Sequence, residues 1–348
     1  MSNLFLKLIG ILLLIGSFAG VWVYMDISSV AETPLNIPAD MNGSGDAQPL
    51  SYTVVSGATL RDVARDLGGR GLLNRPTYLV WWALFQSKTQ NKPYIIKVGE
   101  YALTPGMTAG QLLDKMAAGK VVQYSLTLVE GWTFKQMMAA INAHPVITHT
   151  LSGLTSSQIM ARLGWPDQHP EGRFYPDTYS FSRGFSDVAF LQRAYRMMEQ
   201  RLASEWPQRD SAVPYKTPYE ALIMASIVER ETGAAAERAQ IAGVFVRRLN
   251  IGMALATDPT VIYGVGDSFD GNLRKRDLQT DTPYNTYLRR GLPPTPIAMP
   301  GGDAIHAALH PAPGKTLYFV ARGNGTHYFS ETLQEHNNAV RKYQLGGS

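Results

Sequence analysis

The stretch Tyr219–Gly233, Tyr-Glu-Ala-Leu-Ile-Met-Ala-Ser-Ile-Val-Glu-Arg-Glu-Thr-Gly, leaves this chain little freedom. From Ala221 to Val228 it is apolar except for Ser226, which predicts a helix buried on nearly every side. Such a helix needs a shell of other elements around it, so a multi-element domain must form there. The run ends in Glu229 and Glu231, with Arg230 between them and Gly233 placed to stop the helix. An acid carried by an apolar helix to the edge of a cleft would sit in a low-dielectric setting that raises its pKa. The two acids lie about 200° apart around a helix, so they cannot share one site. Continuing the stripe Met224, Ile227, Val228 brings Glu231 to the buried side, a weak preference, and an ordinary solvated helix end stays open.

The 348 residues are 45% hydrophobic, enough for two or three units with real cores. Only 17% are charged, and the net charge of +4 contains no dense Lys/Arg block, which argues against a nucleic-acid partner. The absence of cysteine excludes disulfides, thiolate metal sites and cysteine nucleophiles, and it suits an exported protein. Export is also written at the N-terminus. Leu8 to Met25 is uncharged and long enough to cross a bilayer core, with Trp22 and Tyr24 near its outer end. Lys7 precedes it, whereas Asp26, Glu32, Asp40 and Asp46 follow and no Lys or Arg recurs before Arg61. That asymmetry predicts a cytoplasmic N-terminus (1–7), a transmembrane helix (8–25) and an external body. A signal peptide cleaved near Ser17-Phe18-Ala19 is the competing reading, and it too exports the body. Pro34, Pro38, Asn42-Gly43-Ser44-Gly45 and Pro49 make residues 26–50 a flexible linker.

Three segments then share a plan of short strand, Gly-x-Thr and amphipathic helix: Gly57-Ala-Thr59, Gly106-Met-Thr108 and Gly131-Trp-Thr133. Glycine permits the turn and threonine caps the following helix. This predicts a small α+β module over 51–145, equally compatible with glycan binding and with a ligand-free spacer. Within it, Pro76–Phe85 reads as a buried helix whose aromatics Tyr78, Trp81, Trp82 and Phe85 belong to the core.

Residues 146–348 form the larger unit. Glu171-Gly-Arg-Phe-Tyr-Pro-Asp-Thr-Tyr179 mixes a turn with aromatics, and helices are expected over about 186–203 and 235–250. Thr217 and Glu220 can cap the helix of the opening stretch. Prolines around Thr257–Gly264, Tyr284–Tyr287 and Gly291–Gly302 predict loops without helix, suited to walling a substrate groove. Leu317–Val320 and Thr326–Phe329 predict a hairpin around Gly323-Asn-Gly325, before a final helix with His336 and Asn337.

Phosphate loops, dinucleotide fingerprints, His-Glu-x-x-His and Gly-x-Ser-x-Gly are all absent. His306 and His310 stand four apart, but such a lone pair is more often structural, so no metal and no cofactor is expected. Acid/base chemistry by carboxylates remains.

Ala225-Ser-Ile-Val-Glu-Arg-Glu-Thr232, Thr257-Asp-Pro-Thr-Val-Ile-Tyr-Gly264, Tyr284-Asn-Thr-Tyr287, Gly291-Leu-Pro-Pro and the Glu171–Tyr179 block together resemble the YceG-like family. Tyr318-Phe-Val320, His327-x-Phe-Ser330 and Glu335-His-Asn337 extend the likeness from the tether to the final helix. Met299 departs from it, because asparagine is frequent there in the family. The resemblance implies an α+β chain with a LysM-like module before an α+β catalytic domain. It implies an endolytic peptidoglycan transglycosylase that cuts MurNAc-β-1,4-GlcNAc bonds without water, leaves 1,6-anhydroMurNAc ends and ends the growth of nascent strands. The expected catalytic acid is Glu231. Thr232 takes a position where other lytic transglycosylases often have serine, and Asp258, Tyr263, Tyr284, Asn285 and His327 are expected to contact substrate. Expected partners are peptidoglycan strands, the inner membrane and a synthase of the penicillin-binding class, with the catalytic domain periplasmic. A muramidase using Asp258 as second carboxylate, and a non-catalytic peptidoglycan scaffold, stay open as alternatives.

Overall fold

In the N-terminal unit the leading helix changes character along its length. In the computed structural model, which describes residues 2–38 and 50–346, α1 runs Ser2–Glu32. Its segment from Phe5 onward is long and apolar enough to cross a membrane, by length and composition. Side chains such as Leu14 and Trp22 are exposed, yet Val30 and Ala31, only a turn or two later, are buried. The same helix therefore enters the folded unit. Residues 26–38, expected as flexible linker, instead continue the helix and then pack: Leu35 is buried and its N–H donates to the Met107 carbonyl at 2.8 Å. The prolines that suggested a linker begin only after the helix has ended. The remainder of the expected linker, residues 39–49, lies outside the described residues.

The rest of this unit is β1 (Leu50–Val54), α2 (Leu60–Gly69), α3 (Pro76–Thr89), β2 (Gly99–Leu103) and α4 (Ala109–Ala118). β1 and β2 pair antiparallel with Tyr52 opposite Tyr101. Leu67, Leu79, Tyr101, Leu112 and Met116 fill the core beneath them. Thr59 and Thr108 cap α2 and α4 through complete capping boxes with Asp62 and Gln111, and Gly57 and Gly106 hold positive φ. Gly110 lies so close to α1 that a Cβ there would meet the Ala31 carbonyl at 2.9 Å.

One expectation holds only in part: of the α3 aromatics, Tyr78 and Trp82 pack against the core, but Trp81 and Phe85 do not. Leu79, Val80 and Ala83 bury one face of α3, but Trp81, Leu84 and Phe85 are 51%, 48% and 44% exposed. Apolar composition all round predicts a helix covered on all sides; the described residues cover only part of it.

The second unit comprises Ser125–Ser180 and Gly184–Ser348, the first taking Phe181–Arg183 as well as everything to Tyr124. The third Gly-x-Thr copy, expected within 51–145, thus belongs to the larger unit. Its elements are β3 (Tyr124–Thr127), α5 (Phe134–Ala143), α6 (Ser156–Leu163), β4 (Thr178–Phe181), α7 (Asp187–Glu205), α8 (Pro218–Glu231), α9 (Arg238–Asn250), α10 (Asp258–Val265), α11 (Lys275–Gln279), α12 (Gly302–Leu309), β5 (Tyr318–Ala321), β6 (His327–Ser330) and α13 (Leu333–Tyr343). β3 pairs with β4, and β5 with β6 in the expected hairpin.

The opening stretch becomes α8, with every residue from Ala221 to Val228 buried. Its shell includes Ile241 and Phe245 of α9 and Ile305 and Leu309 of α12. Ser226, the polar exception, donates to the Ile223 carbonyl at 2.7 Å and accepts from the Ile297 N–H at 3.0 Å, so its hydroxyl is satisfied in the core. The helix stops at Glu231 because Thr232 is extended (φ −144°), one residue before the glycine expected to end it. Asp258–Val265 is a helix where prolines predicted a loop. Pro259 sits in its first turn, where a missing N–H costs nothing.

Candidate active site

Glu231 is the last residue of α8. Its Oε2 accepts a 2.7 Å hydrogen bond from the hydroxyl of Thr257, while among the described residues Oε1 has no hydrogen-bond partner. Burial pushes its pKa up and the neighbouring charge of Asp258 adds to the rise; the Thr257 hydroxyl, His327 and Arg248 oppose it. The sequence thus delivers, at the end of a buried helix, a carboxyl held by one oxygen and biased toward its protonated form.

Thr257 is itself fixed from behind. Its N–H donates to Thr286 Oγ1 at 3.1 Å, Thr260 Oγ1 donates to the Thr257 carbonyl at 2.8 Å, and the Thr260 and Thr286 hydroxyls meet at 2.8 Å. All three threonines are buried. Ala256, just before them, holds φ +47°, a left-handed conformation that L residues other than glycine adopt at a cost. Arg248 is buried and donates to the carbonyls of Leu317 and Leu255 at 2.7 and 2.6 Å, which sets a fixed cation near Glu231. Sequence reasoning passed over Thr257, Thr286 and Arg248. Thr257 had a readable signal, as the residue before Asp-Pro at a helix start; the other two meet the site only through the fold.

The expected substrate residues separate into groups. Asp258, exposed at the start of α10, accepts from Tyr287 Oη at 2.6 Å. His327 is bound at both its N–H (2.9 Å) and its Nδ1 (2.7 Å) by Glu237. Both bear on the charge state of Glu231. Thr232 is buried, and its hydroxyl accepts from the Ala234 N–H at 3.0 Å, closing the turn after α8. Asn285 is fully buried. Its amide donates to the Leu278 and Thr280 carbonyls and accepts from the Tyr287 N–H, so it builds its loop rather than facing substrate.

Tyr263 and Tyr284 belong to a separate feature, a groove of about 850 Å³ walled also by Thr133, Glu171, Arg230 and Ile297. Their rings meet edge to face at 4.7 Å. Glu231 is not one of its walls, although Arg230 is. Glu171, which the sequence shows only as part of a motif, is 4% exposed and its pKa is pushed up to about 7 by burial. Both its oxygens are engaged: Oε1 accepts from the Phe134 N–H at the start of α5 (2.8 Å), and Oε2 from Tyr263 Oη (3.0 Å). Gly172 beside it holds φ +75°, and a Cβ there would collide with Pro296. Glu171 therefore ties α5 to α10 across the groove floor.

Glu229, the other acid of α8, accepts from the Gly301 N–H at 2.9 Å and lies 3.8 Å from Arg238. It anchors the loop entering α12. The Met299 backbone exchanges 2.8 Å hydrogen bonds with Gly131 and Trp132, contacts that do not depend on the side chain there. Glu205, His306 and His310 bring potential ligand atoms within 4.8 Å of one another. They also form a polar cluster, His306 Nδ1 meeting Glu205 Oε2 at 3.1 Å, with Arg201 on the other Glu205 oxygen at 3.0 Å.

The sequence model of the YceG-like family matches residues 52–342. An endolytic murein transglycosylase of Bacillus subtilis is 34% identical over 71% of this chain and 73% of its own length. One from Streptococcus pneumoniae is 26% identical over 86% of this chain, which spans 59% of that longer protein. Among solved structures, a YceG-like protein of Listeria monocytogenes superposes with a TM-score of 0.54 and 29% identity, covering 84% of this chain and 99% of its own. With a family match over most of its length, a close curated relative and a solved neighbour of the same family, the chain belongs to the YceG-like family.

Proposed function

We propose that this chain is an endolytic murein transglycosylase in which Glu231 serves alone as acid and then base. The observation that carries the reading is the asymmetry of that carboxyl: one oxygen is held by Thr257, the other has no hydrogen-bond partner among the described residues, and burial raises its pKa. The names of the Bacillus and pneumococcal relatives support the reaction class.

In the reaction, the proton on Oε1 passes to the glycosidic oxygen between N-acetylmuramic acid and N-acetylglucosamine as the C1–O bond breaks and C1 gains oxocarbenium character. The carboxylate left behind takes the proton of the C6 hydroxyl, whose oxygen closes on C1 to give the 1,6-anhydro ring. No water enters, so no second carboxylate is needed. The Thr257 hydroxyl keeps Oε2 in place through both steps. Asp258 and His327 stand where they tune the acid. Cuts within nascent strands, beside a synthase of the penicillin-binding class, would end their growth.

The apolar helix supports a single-pass anchor in the inner membrane with a cytoplasmic N-terminus and a periplasmic body. The order β1-α2-α3-β2 with an antiparallel pair supports a LysM-like, glycan-binding reading of the smaller unit. A second proton donor has one observation in its favour, since Glu171 lines the aromatic groove and holds its proton to about pH 7. Against it, both its oxygens are already bound.

The test is mass spectrometry of fragments released from purified peptidoglycan strands. Non-hydrolytic cleavage yields muramic ends lighter by one water than reducing ends; reducing ends would instead identify a muramidase, and no release a scaffold.

A further inference from the structure

The exposed apolar face of α3 was expected in the core, and nothing in the proposed reaction uses it. Trp81, Leu84 and Phe85 lie at positions i, i+3 and i+4 and so share one side of the helix. Their exposures of 51%, 48% and 44% make a contiguous apolar surface, and exposed Lys88 follows one turn later on the same side. This face is also continuous with α1. The Phe85 ring packs on the Tyr24 ring at 5.1 Å, and Arg75, just before α3, binds Asp26 at 2.6 Å.

Tyr24 belongs to the exposed apolar part of α1, whereas Val30 and Ala31 are already inside the unit. At 1.5 Å per residue, about 8 Å of unbroken helix separates Met25 from Val30. A side chain in contact with Tyr24 therefore sits at the depth where the span leaves the hydrocarbon. Tryptophan and phenylalanine prefer that depth, and a lysine beside them can reach anionic headgroups.

We infer that the Trp81–Leu84–Phe85 face of α3 is a membrane-interface surface that beds the N-terminal unit into the outer-leaflet boundary of the lipid bilayer beside the exit of α1. The inference rests on the anchoring role proposed for α1. Its consequence is a rigid mounting: helix continuity and an interfacial face together hold the unit in one orientation to the membrane, whereas a tether alone would let it swing.

The chain has no cysteine, so single cysteines can be spin-labelled without background. The full chain carrying Leu12→Cys, Trp81→Cys or Leu84→Cys is reconstituted in phosphatidylethanolamine/phosphatidylglycerol vesicles. Collision of each label with oxygen, which concentrates in lipid, is compared with collision with a water-soluble nickel chelate. All three positions are exposed, so labelling does not disturb the core. The expected result is a deep label at 12 and labels at 81 and 84 at the headgroup–acyl boundary, with nickel collisions reduced several-fold from those of a water-exposed label. A deep label at 12 with fully nickel-accessible labels at 81 and 84 overturns the interface surface and leaves the anchor standing. A nickel-accessible label at 12 overturns the anchor and the surface with it. A label at 81 or 84 shielded from both reagents and broadened by the same label on a neighbouring copy shows that a second copy covers the face, which also overturns the proposal.

Discussion

Glu231 and Glu171 are both carboxyls taken out of water in the larger unit, and both have raised pKa values for the same first reason, burial. They differ in what holds them. Glu171 accepts from a helix N-terminus on one oxygen and from a tyrosine on the other, so its proton has nowhere useful to go. Among the described residues Glu231 is gripped on one oxygen, by a threonine that is itself locked by two more. Desolvation biases both carboxyls toward the protonated form, but an oxygen left open to a substrate decides whether the proton can be delivered. A raised pKa alone would have ranked these two sites together.

The largest expected effect on stability concerns Glu171. It titrates near 7 in the folded chain against 4.5 for its ordinary value, so between those values the folded state keeps a proton that the unfolded chain has lost. Stability therefore falls as pH rises through that window, by up to about 3 kcal/mol. Glu171→Gln should flatten this dependence, as urea unfolding at about pH 5 and about pH 8 would show. An unchanged slope would mean that Glu171 is not the buried, proton-holding tie described here.

A smaller effect probes the grip on Glu231. Thr257→Val removes the hydroxyl but keeps the shape, which should lower kcat/KM about tenfold, the value of one hydrogen bond to a partly charged group. Because Thr257 opposes the raised pKa, the loss of activity at high pH should also move to higher pH. Thr257→Ser should restore both. The smallest effect has the opposite sign. Asp258 helps keep Glu231 protonated, so Asp258→Asn should shift the high-pH limb downward while changing the optimal rate by about threefold or less. A far larger loss would point instead to Asp258 as the second carboxylate of a hydrolase.

How much of this was legible depended on sequence distance. The capping turns were read correctly because glycine and threonine act within four residues, and Thr59, Thr108 and Thr133 all cap through the residue three ahead. Gly153-Leu-Thr155 forms the same turn before α6 and was missed for want of a strand in front of it. The burial of α8 followed from composition, and helical spacing correctly kept its two acids apart. What could not be read were contacts made by folding. Glu171 meets Tyr263 across 92 positions and Thr257 meets Glu231 across 26. The face of α3 was misread because its apolar residues show what a helix can bury, while its neighbours determine which of them are covered. Asn285 looked like a ligand-binding side chain, and only its three backbone partners show that its polarity is spent inside its own loop.

The most direct test sets the two acids side by side. Glu231→Gln and Glu171→Gln are each assayed on peptidoglycan strands for the rate of appearance of anhydro-muramic ends, with thermal unfolding as a check on the fold. Glu231→Gln should lose about a thousandfold in rate with its unfolding temperature preserved, whereas Glu171→Gln should stay within about tenfold of the parent. Full activity in Glu231→Gln, or the larger loss in a folded Glu171→Gln, would contradict the assignment of the proton to the end of α8.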